Sequence, residues 1–450
     1  MIKMYYYATH GILLEYKFYI TDDIMIIHTV TSGDTIFSIA QQYGVSEELL
    51  VVNNGLYGLE NSLPEGLSIV VLRPSKLHTV KQNETTRSIA ARYGITVNDL
   101  YRKNLILEGQ DLIFEGQTLV IEYDTSALYD YDIGGYTYPS ISQELLNTTL
   151  PLMKLFMPFT YGFEPDGSLV LLDDTLLLER AFHYSIRPYM HLSTLTAEGS
   201  FSNELSTQLL NNRDLWTKLA DNVINTMTTK GYVGLDIDFE FLNAQERYLY
   251  PEFISYMHER LIPYPFPLIV ALPPKTSDDQ QGQLYEGVDY KLLGEAADKC
   301  LIMTYEWGYT FGPPMPVSPT PSIRKVLDYA VDVIDRDKIY MGISNYGYDW
   351  TLPYIRGESK ARSLSNIDAT TLASQTGSQI LYSTEYDAPY FYYTDGDGNE
   401  HEVWFEDARS IAAKLALINE YSLFGGLYWN ITRPNPQNLA VLSSVVNYFT

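Results

Sequence analysis

Residues Gly231-Tyr232-Val233-Gly234-Leu235-Asp236-Ile237-Asp238-Phe239-Glu240-Phe241 place three carboxylates at every second position, alternating with Leu235, Ile237, Phe239 and Phe241. Successive side chains of a strand point to opposite faces, so the run predicts one apolar face and one acidic face. An ordinary core strand is excluded, because unpaired buried charges cost several kcal/mol each or more. The pattern predicts acid chemistry on a bound substrate.

Working outward, strand-like apolar runs recur at 135–140, 154–161, 187–192, 232–241, 267–272, 300–305, 339–344 and 424–429, with helical stretches between them. Strands separated by helices in this way predict a (β/α)8 barrel, whose active site lies at the carboxyl ends of its strands. In that register Glu240 ends the fourth strand, and His191, ending the third, reads as a hydrogen-bonded core histidine, with a catalytic role as the alternative. The segment between Tyr348 and Phe424 is longer than one barrel helix needs. Within it, residues 391–394, the turn Asp395-Gly396-Asp397-Gly398 and residues 401–405 read as a β-hairpin. A small α+β insertion after strand seven, at about 352–405, is therefore expected to wall one side of the groove.

At 450 residues the chain exceeds what one core usually supports, so several domains are expected. A net charge of −26 without a compensating Lys/Arg cluster argues against nucleic acid. The 39 tyrosines suit sugar faces and hydroxyls, although most are expected to be ordinary core and surface residues. Cys300 is the single cysteine, which excludes an internal disulfide framework and a thiolate metal cluster. With no histidine pair at ligand spacing, neither metal nor cofactor is expected. Residues 1–24 hold neither a clean signal-peptide core nor a membrane span, and they read as an N-terminal extension of unknown structure.

Residues 28–71 return at 78–121 without a gap: His28-Thr29-Val30 as His78-Thr79-Val80, Ser38-Ile39-Ala40 as Ser88-Ile89-Ala90, Tyr43-Gly44 as Tyr93-Gly94, and Asn54 as Asn104. Identities at one offset mean duplication. Each copy predicts strand, helix, helix, strand, with Asp34 as a possible cap of the first helix and Gly44 at its stop. The pattern resembles the LysM module, giving domains at 25–73 and 76–122, joined by 73–76, ahead of a catalytic domain at 127–450. The resemblance implies recognition of N-acetylglucosamine-containing glycans such as peptidoglycan or chitin, with a protein-binding module or spacer as the alternative. It points to Gly33, Asp34, Thr35 and Ile36 with Leu63 and Pro64 as the groove. Copy two carries Asn83-Glu84-Thr85 in place of Gly33-Asp34-Thr35, a change that would weaken or retune binding. Two weak sites on one chain would give avidity on a polymer.

The barrel resembles glycoside hydrolase family 18. Asp236-Ile237-Asp238-Phe239-Glu240 matches the end of that family's strand-four signature, with Val233 in place of its first Asp. Met303-Thr304-Tyr305-Glu306-Trp307 resembles the strand-six motif and Tyr428-Trp429 the strand-eight aromatic. Tyr285-Glu286-Gly287-Val288-Asp289-Tyr290, Gly312-Pro313-Pro314-Met315, residues 346–354 and residues 403–409 resemble the spore-associated branch, cortical-fragment-lytic enzymes with two N-terminal LysM modules. The resemblance implies a substrate-assisted, retaining N-acetylglucosaminidase, in which the substrate's own acetamido carbonyl attacks the anomeric carbon. Glu240 would be the acid/base, and Asp238 would orient the acetamide. Asp236 would share a proton with Asp238, because neighbouring carboxyls avoid double ionisation. Tyr305 would donate to the acetamido carbonyl, Glu306 would bond sugar hydroxyls and Trp429 would lie beneath the ring. Trp307 and Trp350 are further substrate-contact candidates, and for both, as for Glu306, a structural role is the alternative. Location at the spore coat or cortex, or at the cell wall, would follow. A chitinase and a non-catalytic glycan-binding wall protein are the competing readings.

Overall fold

The computed structural model describes residues 25–124, 129–196 and 198–448; the expected extension at 1–24 lies outside them. The acidic run is the fourth strand of a closed, all-parallel barrel. Its strands are Asp132–Thr137, Leu155–Pro158, Arg187–Ser193, Gly234–Asp238, Leu268–Leu272, Lys299–Ile302, Ile339–Ser344 and Gly425–Trp429, each paired with the next, and Gly425 closes on Asp132. The first strand starts earlier than the 135–140 run, because Asp132, Ile133 and the small Gly134 are already in the ladder. The fourth stops at Asp238, so Glu240 stands just beyond it, at the mouth. Leu235, Ile237 and Phe239 are buried as the alternation requires. Phe241 departs from it: at φ 54° the chain has left the strand, and the ring is 45% exposed beside the cleft.

The insertion after strand seven is a five-stranded antiparallel sheet with one helix, Asn366–Thr376. It begins at Gly347–Thr351, earlier than the expected residue 352, because this strand pairs with Glu400–Trp404. The hairpin lies at Ala388–Thr394 and Glu400–Trp404, and the Asp395 carboxylate accepts the backbone N–H groups of Asp397 and Asn399 to close its turn.

Both repeats fold as expected, with helices Ile36–Tyr43 and Glu47–Asn54 in the first and Thr86–Tyr93 and Val97–Lys103 in the second. The repeated asparagines hold the strand to the helix. Asn54 donates to Leu50 and Val70 carbonyls and accepts the Val70 N–H, and Asn104 does the same with Leu100 and Val120. The first cap differs from expectation: Thr35, in a capping box with Ser38, closes the helix. Asp34 instead accepts from the Thr31 N–H and hydroxyl and faces His28. In copy two Glu84 takes that place against Lys81 and His78, while Asn83 adopts the left-handed conformation that Gly33 has in copy one. The substitution therefore preserves the loop.

The modules are not tethered beads. Only Leu72 and Arg73 separate the strands Ser68–Val71 and Pro74–Thr79, where a linker at 73–76 was expected. Module one shares a core with the insertion, joining Ile36, Ile39 and Leu67 to Ala369, Ile380 and Phe391. Module two packs on the barrel, where the Tyr184 hydroxyl donates to the Gly109 carbonyl and Asn98 to the Tyr184 carbonyl. Among the described residues no helix is long and apolar enough to cross a membrane.

Candidate active site

A cleft of about 430 Å³ opens at the carboxyl ends of the strands, lined by Asp238, Glu240, Tyr305, Glu306, Trp307 and Trp429 among others. Five of these side chains come from the two signature segments at the ends of strands four and six, and Trp429 ends strand eight. The parallel closed barrel brings them together, since its strand ends share one face.

Asp236 lies behind the cleft and is fully buried. Its Oδ2 accepts the Tyr136 hydroxyl at 2.8 Å and lies 2.7 Å from His191 Nδ1. Its Oδ1, and Oδ1 of Asp238, are buried atoms with no hydrogen-bond partner among the described residues. Burial pushes the Asp238 carboxyl well above the usual range; the charge of Glu240 adds to the shift, His191 opposes it, and Asp236 adds a lesser amount. Burial also raises Glu240, with Glu306 as the second cause. Glu306 is raised by burial, offset in part by the hydroxyls of Tyr346 and Tyr348, which both donate to it. Glu306 has φ 66°, a costly conformation for a residue with a Cβ. Burial and the surrounding carboxylates raise the Tyr305 phenol far above its ordinary value, which keeps it a hydrogen-bond donor. Gly342, on strand seven, makes room for that ring, since a Cβ there would stand 2.6 Å from Tyr305 Cε1.

Trp429 meets Phe159 edge-on at 4.9 Å and Tyr136 at 5.6 Å, building an aromatic floor. Its neighbour Tyr428 points the other way, fully buried, with its hydroxyl donating to Asn438. Trp307 lines the cleft, but Trp350 does not: it is buried, and its indole N–H donates to the Gly312 carbonyl, supporting the loop after strand six. Trp350 belongs to the first insertion strand, whose pairing turns that side chain inward. The sequence reading missed Tyr136, Tyr138, Phe159, Phe201 and Phe241, all of which line the cleft. Tyr136 was within reach, as it lies inside the expected first strand. His191 is fully buried and hydrogen-bonded as expected, but its partner is a carboxylate of the signature.

The groove residues named in module one divide. Gly33 and Thr35 are exposed, Ile36 and Pro64 are buried, and Leu63 packs against the core shared with the insertion.

An acidic signature at the mouth of a (β/α)8 barrel, flanked by an aromatic floor, defines a glycoside hydrolase. Residues 189–433 match Glycosyl hydrolases family 18, and residues 28–70 and 78–122 each match the LysM domain; the chain belongs to family 18 and carries two LysM modules before its barrel. Both domain types imply an N-acetylglucosamine-containing glycan as ligand class. The chain is similar to the cortical fragment-lytic enzyme of Bacillus subtilis (strain 168), 37% identical across 68% of this chain and 70% of that one. It is 34% identical to the Bacillus anthracis cortical fragment-lytic enzyme, across 92% and 97% of the two. Its fold superposes on the crystal structure of the Bacillus megaterium QM B1551 spore cortex-lytic enzyme SleL with a TM-score of 0.80, at 33% identity, covering 94% of this chain and 99% of the other.

Proposed function

We propose that the protein is a spore-cortex peptidoglycan N-acetylglucosaminidase, associated with the spore or cell wall, that cleaves β-1,4 bonds after N-acetylglucosamine with retention. The observation that carries this reading is the row Asp236, Asp238 and Glu240, with two buried, partnerless carboxyl oxygens behind an acid whose own pKa is raised. The similarity to cortical fragment-lytic enzymes over both modules and barrel supports the substrate.

Glu240, whose carboxyl burial and Glu306 shift towards the protonated form, gives its proton to the leaving glycosidic oxygen as the acetamido carbonyl oxygen bonds to the anomeric carbon. The oxazolinium so formed carries positive charge at its nitrogen, and Asp238 faces it as a carboxylate once its proton has passed to Oδ1 of Asp236. Tyr305 donates to the acetamide, and Trp429 supports the ring. Water then attacks the anomeric carbon from the side the leaving group vacated and returns a proton to Glu240; the bond between the acetamido oxygen and the anomeric carbon breaks, the acetamido group is restored, and configuration is retained. Mass spectrometry of digests of purified cortex, vegetative sacculi and chitin oligomers tests the assignment. Cortex fragments should be cleaved fastest, and faster cleavage of chitin oligomers would make the protein a chitinase instead.

A further inference from the structure

His191 is fully buried, yet its Nε2 has no hydrogen-bond partner among the described residues. Leaving a buried polar atom unpaired carries its full desolvation penalty. A residue needed only for packing would avoid that cost, because an aliphatic side chain could fill the space. The ring is also fixed in orientation. Phe159 stacks on it at 4.9 Å and 25°, Tyr136 meets it edge-on at 5.2 Å, and Nδ1 lies 2.7 Å from Oδ2 of Asp236. Nδ1 must therefore carry hydrogen and donate it, since a carboxylate oxygen can only accept.

The titratable groups around this ring are few. Strand four presents Asp236 in contact and Asp238 beyond it, strand one presents Tyr136, and the end of strand two presents the apolar Phe159. Among the described residues no lysine or arginine lines the cleft. His191 is thus the basic side chain that touches the acidic signature.

We propose that His191 is a positioning residue of the reaction, which through Nδ1–H holds the Asp236 carboxylate on Oδ2 and leaves Oδ1 free to receive the proton that Asp238 gives up. The step is balanced: one proton moves from Asp238 to Asp236 as the oxazolinium forms and returns on hydrolysis, and His191 keeps its own throughout. The inference rests on the proton-sharing reading of Asp236 and Asp238.

The test uses the full chain and a soluble N-acetylglucosamine-containing oligosaccharide. His191→Leu removes the donor, His191→Asn restores an N–H close to the Nδ1 position, and Asp236→Asn is the control. His191→Leu is expected to lower kcat roughly 10- to 100-fold with KM nearly unchanged, the scale of losing one positioned hydrogen bond to a charged group. Its pH profile should change along with kcat, because the carboxyl pair has lost the donor that fixes one of its oxygens. His191→Asn should recover most of kcat. Wild-type kcat and pH profile in His191→Leu would overturn the proposal, as would a loss that follows only the fraction of folded protein. If Asp236→Asn retains wild-type turnover, the proton-sharing reading itself fails. If Asp236→Asn is inactive while His191→Leu is unaffected, only the role of His191 fails.

Discussion

A Cβ on Gly66 would stand 1.8 Å from the carbonyl oxygen of Ile380, so the backbone of the first LysM module lies directly against that of the insertion. The contact is reinforced where the Ile380 N–H donates to the Glu65 carbonyl, the Ser374 hydroxyl to the Ser62 carbonyl, and buried Arg409 to the Gly66 carbonyl. Gly116, the counterpart in module two, has a matching φ of +87° against +84°, but nothing lies within 4 Å of its Cβ position.

That pair gives a controlled experiment. Gly66→Ala and Gly116→Ala incur the same positive-φ penalty, about 1–2 kcal/mol. Only the first also forces two backbones apart, which should add roughly 1–3 kcal/mol of destabilisation. Denaturant unfolding of both variants measures the difference, and equal losses would mean that module one does not brace the insertion. For the same reason, removing both modules should lower the stability of the remaining barrel as well as binding to insoluble sacculi.

Glu240→Gln should fold, bind glycan and lose on the order of 10²- to 10⁴-fold in kcat, because the leaving oxygen has no proton donor. Its stability should also change with pH in a defined sense. Burial raises the Glu240 carboxyl, so the stability it contributes is fully present below the ordinary glutamate range and is lost as pH rises through the raised value. An amide does not ionise, so the variant should melt at a higher temperature than the parent at neutral pH. A lower melting temperature there, or unimpaired turnover, would contradict the assignment.

The sequence made the acid chemistry legible because alternation is local: Asp236, Asp238 and Glu240 share a face wherever the strand goes. The eight strand runs were legible for the same reason. What was hidden depends on where elements meet. Trp307 and Trp350 look alike as exposed-site candidates, but pairing of the insertion strand turns Trp350 into the core. Asp34 reads as a cap because it precedes a helix, yet it closes its own turn with Thr31 while the next residue caps. The docking of module one depends on contacts more than three hundred residues apart in sequence, such as Ser62 with Ser374.

Glu306→Gln should shift the basic limb of the kcat/KM profile to lower pH. Glu306 is the second cause, after burial, of the raised Glu240 carboxyl; without that like charge Glu240 gives up its proton earlier. An unmoved limb, or one moved to higher pH, would mean that Glu306 does not govern the acid.

The most direct test of substrate-assisted cleavage by Glu240 follows the first product of a cortex oligosaccharide by proton NMR before mutarotation, together with mass spectrometric identification of its reducing sugar. Substrate assistance needs a free 2-acetamido group on the sugar in the cleaved subsite; a muramic lactam, whose amine is tied into a ring, cannot supply one, and that subsite is assigned to N-acetylglucosamine. The predicted result is reducing-end N-acetylglucosamine formed as the β anomer. Reducing muramic acid or its lactam, or initial release of the α anomer, would contradict it.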